Sequence, residues 1–503
     1  ESNGQPLAEA VLTGDLALKE RSGGLNLQLQ VPAVIGAARR LGLMPGDAPA
    51  GLTDGRLAIS QKVTLAGADG AATVEGDGRL EGMTLSVRGG KPSPLGLRLT
   101  NRLDLDRKSG RLRVAPVRLE LDSPGGAAPG TVELKGDWPL TAAGDAKGEI
   151  QCAVRKVDLA PWLQLTHALA AEQLPPIPLE IDQTLSRQAD GKLALTGDVR
   201  IGLPVPAEDG KPATQLSLTI HNELQKWGQN IEKLLVDMQG KNGTNTPDSV
   251  RIEGTGTLGE VLGLKLNANV ASLRAEPYLS AANALMGGGQ PAPATPPPAT
   301  APAPTPVNLD AQWTVKEASL RSARLIDADG TLKLDKGVFE FKMNTGKLAG
   351  GPTTAEAGGD LARIEPRYVW KLSMDQASVA DLLGAVDPKL ANKLTGTASL
   401  TSEGTGEGVG AALRRRLDAR NHFSIKDGQL QNLPALVKLS ELTRSESFRN
   451  VRFFEFQGNL NFSQGQGKIE ETSMTGPENK LVFSGTVGPD DNYKQRNEPY
   501  LAG

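Results

Sequence analysis

The sequence has few of the residues on which most enzyme chemistry depends. It has one cysteine, Cys152, and three histidines among 503 residues. A single cysteine excludes an intramolecular disulfide, and His167, His221 and His422 lie too far apart in the sequence to show metal-ligand spacing. Ser484 lacks the preceding glycine of a nucleophile elbow. We therefore predict no enzymatic activity, no metal site and no cofactor.

An excess of one charge and long apolar runs are also missing. The chain has 55 Lys and Arg against 58 Asp and Glu, a net charge of -3, so no basic surface for nucleic acid is expected. The sequence contains no run of about 18 apolar residues, so no transmembrane helix is predicted. The polar start Glu1-Ser2-Asn3-Gly4 is not a signal peptide. We expect the chain to be a fragment or processed form from which any anchor has been removed.

Aromatic residues are scarce, at 4% of the chain, and they normally supply much of the buried area of a compact core. The core must then consist of Leu, Val and Ala spread thinly over the chain. Such a core favours an elongated shape with a large surface. What the sequence does have is strict alternation of apolar and polar residues. Such alternation predicts strands with one apolar and one wet face. It is clearest at Leu25–Leu29, Leu97–Leu105, Leu112–Leu121 with one phase shift near Pro116, Leu332–Met343 and Phe454–Phe462.

Turn signals separate these runs. Asp106–Gly110 is predicted to join two strands, and Asp335–Gly337 and Asp427–Gly428 are typical of hairpin or bulge turns in which glycine takes the positive φ. Asp327–Gly330 resembles the start of a calcium loop, but the required glycine and glutamate positions hold Leu332 and Val338. We predict instead a hairpin turn between Leu325 and Leu332.

A longer pattern is superimposed on the strands. Four times an alternating strand runs into a short helix-like segment, around Val31, Val157, Leu273 and Val379. This predicts an internal repeat of roughly a hundred residues or more, larger than the usual solenoid period. The Pro/Ala/Thr-rich segment 287–306 is predicted to be a flexible linker or loop. It divides the chain into β-groove repeats over 1–286 and a second β-rich region over 307–503.

The C-terminal region resembles the AsmA family of Gram-negative envelope proteins. The similarity rests on four stretches between Leu394 and Val487: L-T-G-T-A-S-L-T-S-E-G-T-G, L-D-A-R-N-H-F-S-I-K-D-G-Q-L-Q-N-L-P-A-L-V-K-L, F-F-E-F-Q-G-N-L-N-F-S-Q-G-Q-G-K-I and L-V-F-S-G-T-V-G. Upstream, G-T-L-K-L-D-K-G-V-F-E-F-K-M and A-S-V-A-D-L-L-G-A-V are also similar. The match is clear over about 307–487 and looser over 1–286, where only the strand-plus-helix rhythm agrees.

The resemblance implies a periplasmic protein held by an N-terminal inner-membrane helix that this chain lacks. It implies a long curled β-sheet with an apolar groove that carries phospholipid towards the outer membrane. The residue pattern independently favours a mainly β fold, an elongated, curled antiparallel sheet with a few short helices, because an apolar sheet face must be covered by something. The expected partners are phospholipid or another acyl lipid and the inner and outer membranes or their proteins.

Two other interpretations stay open. The chain is alternatively an envelope scaffold or outer-membrane assembly factor that binds proteins, for example by strand addition at a sheet edge. An enzyme is a third and weaker alternative, because no polar cluster is visible. The basic run Arg414–Arg416 is expected to be a solvated face. The more specific alternative is that it contacts anionic lipid head groups. As lipid-groove lining we select the inward positions of the best alternating strands: Leu97, Leu99, Leu332, Leu334, Phe339, Phe341, Phe454 and Phe456.

Overall fold

The chain folds into two compact units in the computed structural model. The N-terminal unit comprises Glu1–Pro247 with Pro277–Pro293, and the C-terminal unit comprises Asp248–Glu276 with Ala294–Gly503. The structure describes residues 11–17, 22–30, 52–53, 56–66, 71–85, 93–122, 129–140, 146–160, 175–206, 214–227, 230–242, 247–285, 307–409, 411–431, 434–444, 449–477 and 480–487.

The N-terminal unit is an antiparallel sheet in which strands pair almost entirely in chain order; the short β3 lies beside β5, and β2 pairs with β4. Its strands are β1 Val11–Ala17, β2 Ser22–Gln30, β3 Leu52–Thr53, β4 Arg56–Ala66, β5 Ala71–Leu85, β6 Ser93–Asp106, β7 Arg111–Leu121, β8 Gly130–Pro139, β9 Gly148–Asp158, β10 Pro178–Arg187, β11 Leu193–Val205, β12 Thr214–Trp227 and β13 Asn230–Asn242.

The C-terminal unit is a second run of sequentially paired strands. They are β14 Asp248–Thr257, β15 Leu262–Arg274, β16 Val307–Leu320, β17 Ala323–Asp335, β18 Val338–Leu348, β19 Gly351–Asp360, β20 Arg367–Ser378, β21 Leu394–Glu407, β22 Asp418–Gln431, β23 Asn450–Ser463, β24 Gln466–Thr475 and β25 Lys480–Val487. The described residues also form four α-helices, α1 Ala275–Leu285, α2 Val379–Val386, α3 Ala411–Arg415 and α4 Pro434–Thr443, and a 3₁₀ turn, Pro388–Leu390.

Pairing in the C-terminal unit is antiparallel except between β15 and β16, which are parallel. Parallel neighbours require a crossover that returns the chain to the starting edge. The sequence between them contains α1 and the Pro-rich segment 287–306, so that segment lies within the crossover connection. Residues 248–276 accordingly belong to the C-terminal unit, whereas the composition of the sequence divides the chain at 287–306.

Two of the three turn signals in the sequence match strand ends. The third, Asp427–Gly428, lies inside β22, where Asp427 and not the glycine takes the positive φ, at 50°. β6 ends at Asp106, whose carboxylate accepts hydrogen bonds from the backbone N–H groups of Lys108 and Ser109 and from the Ser109 hydroxyl. The hydroxyl is the main reason that the pKa of Asp106 is lowered. Lys336 and Gly337 both have positive φ, at 48° and 89°, and close the β17–β18 hairpin, as the residues of a tight hairpin must.

The predicted hairpin turn at Asp327–Gly330 is wrong, because these residues lie inside β17. Asp327 takes a left-handed φ of 49°, and the register with β18 shifts between Ile326 and Asp329. This is a β-bulge, in which an extra residue changes the phase of the strand. Asp329 then accepts hydrogen bonds from Thr345 and Asn344 of β18, which lower its pKa.

The prediction of a mainly β fold, an antiparallel sheet with a few short helices, is confirmed, and the sheet is open. The phase shift predicted near Pro116 is confirmed by register shifts on both sides of β7. The helices predicted after Leu273 and at Val379 are α1 and α2. The helical segments expected after Val31 and Val157, and the predicted linker 287–306, lie outside the described residues.

Candidate functional site

The apolar residues of the C-terminal unit form one continuous sheet face. Because the register is continuous through the middle of the strands from β17 to β23, residues on neighbouring strands line up in rows across the sheet. We call two of these the central rows. The first is Leu332, Phe341, Ala357, Trp370, Gly404, Ala419 and Phe462, and the second is Gly330, Met343, Ala355, Leu372, Ser402, Asn421 and Leu460. Six steps between strands make each row about 29 Å long.

The large side chains of the central rows are only partly covered. Met343 is buried, but most of the others keep part of their surface accessible. The half-buried ones are Leu332, Phe341, Trp370, Leu372, Leu460 and Phe462. A face of this kind in a globular domain is normally closed by a second layer. Here the neighbouring side chains of the same sheet provide the cover.

One end of this face is closed by α2. The helix begins at the N-cap Ser378, whose hydroxyl accepts a hydrogen bond from the Asp381 N–H. The Ser322 hydroxyl donates to the Asp381 carbonyl at 2.7 Å, and Arg321 donates to the Val386 carbonyl at 2.6 Å. Beneath the helix lies a buried cluster, formed by Val379, Ala398, Ile425, Phe453 and Met474.

The other end is partly covered by α3. Leu413 of this helix lies so close to Gly406 that a Cβ at Gly406 would be 2.5 Å from Leu413 Cδ1. At least one basic residue next to α3 is paired. Arg416 forms an ion pair with Glu365 and lies 3.9 Å from Glu407. The central rows therefore lie between two helix-covered ends.

Glycines make room for the tryptophans on this face. The Trp313 ring lies over Gly330 and stacks on Phe341, with ring centroids 5.4 Å apart and planes 4° from parallel. Similarly, a Cβ at Gly404 would come within 2.4 Å of Trp370 Cζ2. Flat rings lying along the sheet keep the face smooth, and their stacking stabilises the arrangement beyond simple burial.

One polar step interrupts the second central row. The Trp370 indole N–H donates to Ser402 Oγ at 3.1 Å, and Ser402 donates to Asn421 Oδ1 at 2.7 Å. Asn421 Nδ2 then donates to the Leu460 carbonyl at 2.6 Å. Sequence reasoning missed these residues. Their signal is a polar residue in an apolar phase, as at Asn421 between Ala419 and Phe423.

Four of the predicted lining residues come together in the C-terminal unit. Leu332 pairs with Phe341 and Leu334 with Phe339 across β17 and β18, all on the apolar face and all half-buried. Phe456 lies on the same face, in the covered end, where its ring contacts Phe423 and Phe453 edge to face.

Phe454 does not follow the predicted phase. It is 59% exposed, whereas its neighbour Phe453 is 3% exposed and lies under α2. The reason is a bulge-like kink at Asp427, which has a φ of 50° opposite this part of β23. Asp427 shifts the phase so that Phe453 and Phe456 share the apolar face and Phe454 turns to the other side.

The remaining predicted residues, Leu97 and Leu99, lie on β6 of the N-terminal unit. Leu97 pairs with Leu80 and Leu121, and Leu99 with Leu119, so they also belong to an apolar face. Both are half-buried. Large apolar side chains stay exposed on this face too, with Val63 at 38% and Leu134 at 37%.

The opposite face of the C-terminal sheet is polar. Lys342 and Glu356 lie 3.5 Å apart, and Glu403 and Arg420 lie 3.9 Å apart, all roughly half exposed or more. A depression of about 950 Å³ crosses β18–β23. Each strand lines it with three consecutive residues, the middle one of which belongs to the first central row.

Within the described part of the chain, no group of three or more His, Cys, Asp or Glu residues is placed to hold a metal ion. His221 is exposed and pairs with Asp198 at 2.8 Å, and His422 pairs with Asn459 at 2.9 Å. His167 lies outside the described residues. None of the helices that the structure describes has both the length and the hydropathy to cross a membrane.

Comparison with known protein families identifies the region that contains the central rows. Residues 263–472 match the model of the AsmA family. This stretch is therefore similar to the AsmA family. It runs from β15 to β24 and includes both helix-covered ends and the central rows between them. The resemblance inferred from the sequence is thereby confirmed. Comparisons with curated proteins and with solved structures found no match.

Proposed function

We propose that the chain binds the acyl chains of phospholipid on its apolar sheet faces and acts as a non-enzymatic lipid carrier or bridge. The observation that carries this proposal is the half-buried state of the central rows. Large apolar side chains such as Phe341, Trp370 and Leu372 are aligned over about 29 Å, and the helices close only the ends of the face.

The energetics favour an apolar occupant. Removing apolar surface from water yields about 25 cal/mol per Å², and contiguous exposed apolar patches generally mark binding sites. An acyl chain lying across the central rows would cover the surface that Phe341 and Trp370 leave accessible. It needs no hydrogen bonds and no charge partner along most of its length.

The AsmA-family match supports the wider setting of this activity. In this proposal the protein works in the periplasm at the inner membrane. It hands phospholipid between the inner and outer membranes or proteins within them. The polar sheet face, with pairs such as Lys342–Glu356, then faces water.

The primary test is lipid extraction from the gently purified chain, followed by mass spectrometry and phosphate quantification. We expect phospholipid at more than one molecule per chain. A well-folded protein that contains no lipid and takes up none from phospholipid vesicles would contradict the proposal.

A matched pair of variants distinguishes lipid loss from unfolding. Phe341→Asp places a charge on the central rows, where an acyl chain would have to desolvate it, and should remove most of the bound lipid. Phe454→Asp makes the same change at a residue that is 59% exposed on the other side of its strand, and should leave the lipid content unchanged. Circular dichroism and the urea midpoint establish that both variants are folded. Equal lipid content in the two folded variants would contradict the assignment of the face.

The open edge of the sheet favours a second candidate, an envelope scaffold or assembly factor. Among the described strands, β25 pairs with β24 alone, and Val482 on it is 56% exposed. Unpaired strand edges accept an added strand from another chain. This candidate predicts a lipid-free protein and a partner whose binding protects the β25 amides from hydrogen exchange.

A further inference from the structure

Two amide pairs lie on the apolar face of the N-terminal unit. Gln61 of β4 and Asn101 of β6 exchange two hydrogen bonds, Nε2 to Oδ1 at 2.9 Å and Nδ2 to Oε1 at 3.1 Å. They reach across Gly76 of β5, which pairs with both. A Cβ at Gly76 would come within 2.6 Å of Gln61 Cδ, so glycine allows the two amides to meet.

The same arrangement recurs further along the unit. Gln183 of β10 and Asn222 of β12 exchange hydrogen bonds of 2.6 and 3.2 Å across Gly197 of β11. The glutamines are 122 residues apart and the asparagines 121 (183 minus 61, and 222 minus 101). This spacing agrees with the repeat length that the sequence predicts.

These amides occupy apolar positions in their strands. Gln61 follows Ile59 in the phase of its strand, and Gln183 follows Ile181. Both amide pairs are half-buried. The Ser402–Asn421 step of the C-terminal unit is of the same kind, because it also places an amide in an otherwise apolar row. A face that binds only hydrocarbon has no use for polar groups at these positions.

Each amide retains hydrogen-bonding capacity. A carboxamide has two N–H donors and an oxygen with two lone pairs. The reciprocal contact between Gln61 and Asn101 uses one donor and one lone pair of each. One N–H per amide is left, fixed in direction by the pair and accessible because the side chains are half-buried. The pair Gln183–Asn222 is in the same state.

We propose that Gln61–Asn101, Gln183–Asn222 and Ser402–Asn421 bind the ester carbonyls of glycerolipids. This inference rests on the proposed function and specifies the class of lipid. An ester carbonyl is a neutral acceptor for the remaining amide N–H. A phosphate head group is charged and would require a cation that none of these residues supplies, and burying it here would be costly.

The positions also define where lipid is held. The glycines that the two pairs cross lie on β5 and β11, six strands apart, which corresponds to about 29 Å. That distance keeps the two pairs separate, so each holds its own lipid molecule.

The test compares two lipids that differ only at the ester. The full chain is loaded from an equimolar mixture of dioleoyl phosphatidylglycerol and its dioleyl ether analogue, and mass spectrometry measures the bound ratio. We expect the diester to be enriched roughly 2- to 10-fold, as one net hydrogen bond per site allows. The double variants Gln183→Leu/Asn222→Leu and Gln61→Leu/Asn101→Leu remove both partners at once and leave no orphaned amide.

Each double variant should lower the enrichment while the total bound lipid stays within about twofold of wild type. Gln239→Leu is the matched control, since it replaces an exposed amide on the polar face of β13 and should leave the ratio unchanged. Equal loading of ester and ether by the wild type, or an enrichment that is undiminished in both double variants, overturns this inference alone. Absence of both lipids from the folded wild type overturns the proposed function and this inference with it.

Discussion

The covered and uncovered parts of the apolar face in the C-terminal unit are built from the same strands and have different packing. Under α2, Phe453 and Met474 are each 3% exposed. Phe341 and Trp370, which lie on the same sheet outside the part under α2, remain half-buried. Val379 of α2 packs in the same cluster as Phe453 and Met474, so the helix contributes to the difference. A short helix can therefore close such a face, and among the described residues α2 and α3 cover its two ends.

This difference separates two uses of apolar residues. Where α2 covers them, they form a core with close packing, and their contribution is stability. Where no described helix covers them, they form a surface that is available to an apolar ligand. The predictions below test this separation, from the largest effect to the smallest.

Truncation in the covered part should have the largest effect. Phe453→Ala removes a ring from the cluster under α2 and should lower the free energy of unfolding by about 3–5 kcal/mol. The adjacent Phe454→Ala, at a residue 59% exposed, should change it by no more than about 0.5 kcal/mol. Urea unfolding followed by tryptophan fluorescence measures both. Similar costs for the two variants would show that this end is not a closed core.

Filling the space beneath a tryptophan should have the next largest effect, in the uncovered part. In Gly404→Ala the new Cβ would lie 2.4 Å from Trp370 Cζ2 and 2.6 Å from the Asp418 carbonyl oxygen. Both the ring and the backbone must move, at a cost of about 1–3 kcal/mol, and the bound lipid should fall as the ring lifts off the sheet. Gly485→Ala is the control because nothing lies within 4 Å of its Cβ. A stable Gly404→Ala protein with full lipid content would contradict the packing described.

Weakening the start of α2 should have a smaller effect. Ser378→Ala removes the acceptor of the Asp381 N–H and should cost about 1 kcal/mol. Amide exchange of α2 should then accelerate while the lipid on the central rows is retained. Ser378→Asp keeps a capping oxygen and should restore the wild-type exchange rate. Loss of lipid in Ser378→Ala would show that the covered and uncovered parts are coupled.

The smallest effect concerns Cys152, a natural probe on the apolar face of the N-terminal unit. It lies between Ile150 and Val154 in phase, opposite Gln183, and burial raises the pKa of its thiol. Because the thiolate is the reactive form, alkylation by iodoacetamide should accelerate only above the pH expected for an exposed cysteine. Removing lipid should increase the rate by up to about tenfold, equivalent to one pKa unit. A rate that does not change with lipid would mean that this face is not occupied.

Much of the fold was predictable because it depends on local patterns. The alternation at Leu332–Met343 defines β17 and β18, and Asp335–Gly337 defines the turn between them. The orientation of Phe454 was not predictable from its own strand, because it depends on Asp427 in the neighbouring strand. The sequence around Asp327 predicts a turn where the structure has a bulge for a related reason. Asp and Gly favour left-handed backbone both in turns and inside bulged strands.

The binding face was predictable only in part. Alternation identifies which residues share a face, as for Leu332, Leu334, Phe339 and Phe341. It does not show which rows α2 covers, because that depends on where the helix packs after β20. The amide pairs were missed because Gln61 and Asn101 are 40 residues apart in the sequence and meet only through the register of three strands.

Photo-crosslinking tests the central claim most directly. A phosphatidylglycerol with a diazirine in its acyl chain is loaded onto the full chain and activated, and the adducts are mapped by peptide mass spectrometry. The account predicts adducts on the central rows, at Phe341, Trp370, Leu372 and their neighbours, with few at Phe454 or under α2. Adducts confined to the charged face around Lys342 and Glu356, or no adducts on a folded protein, would contradict it.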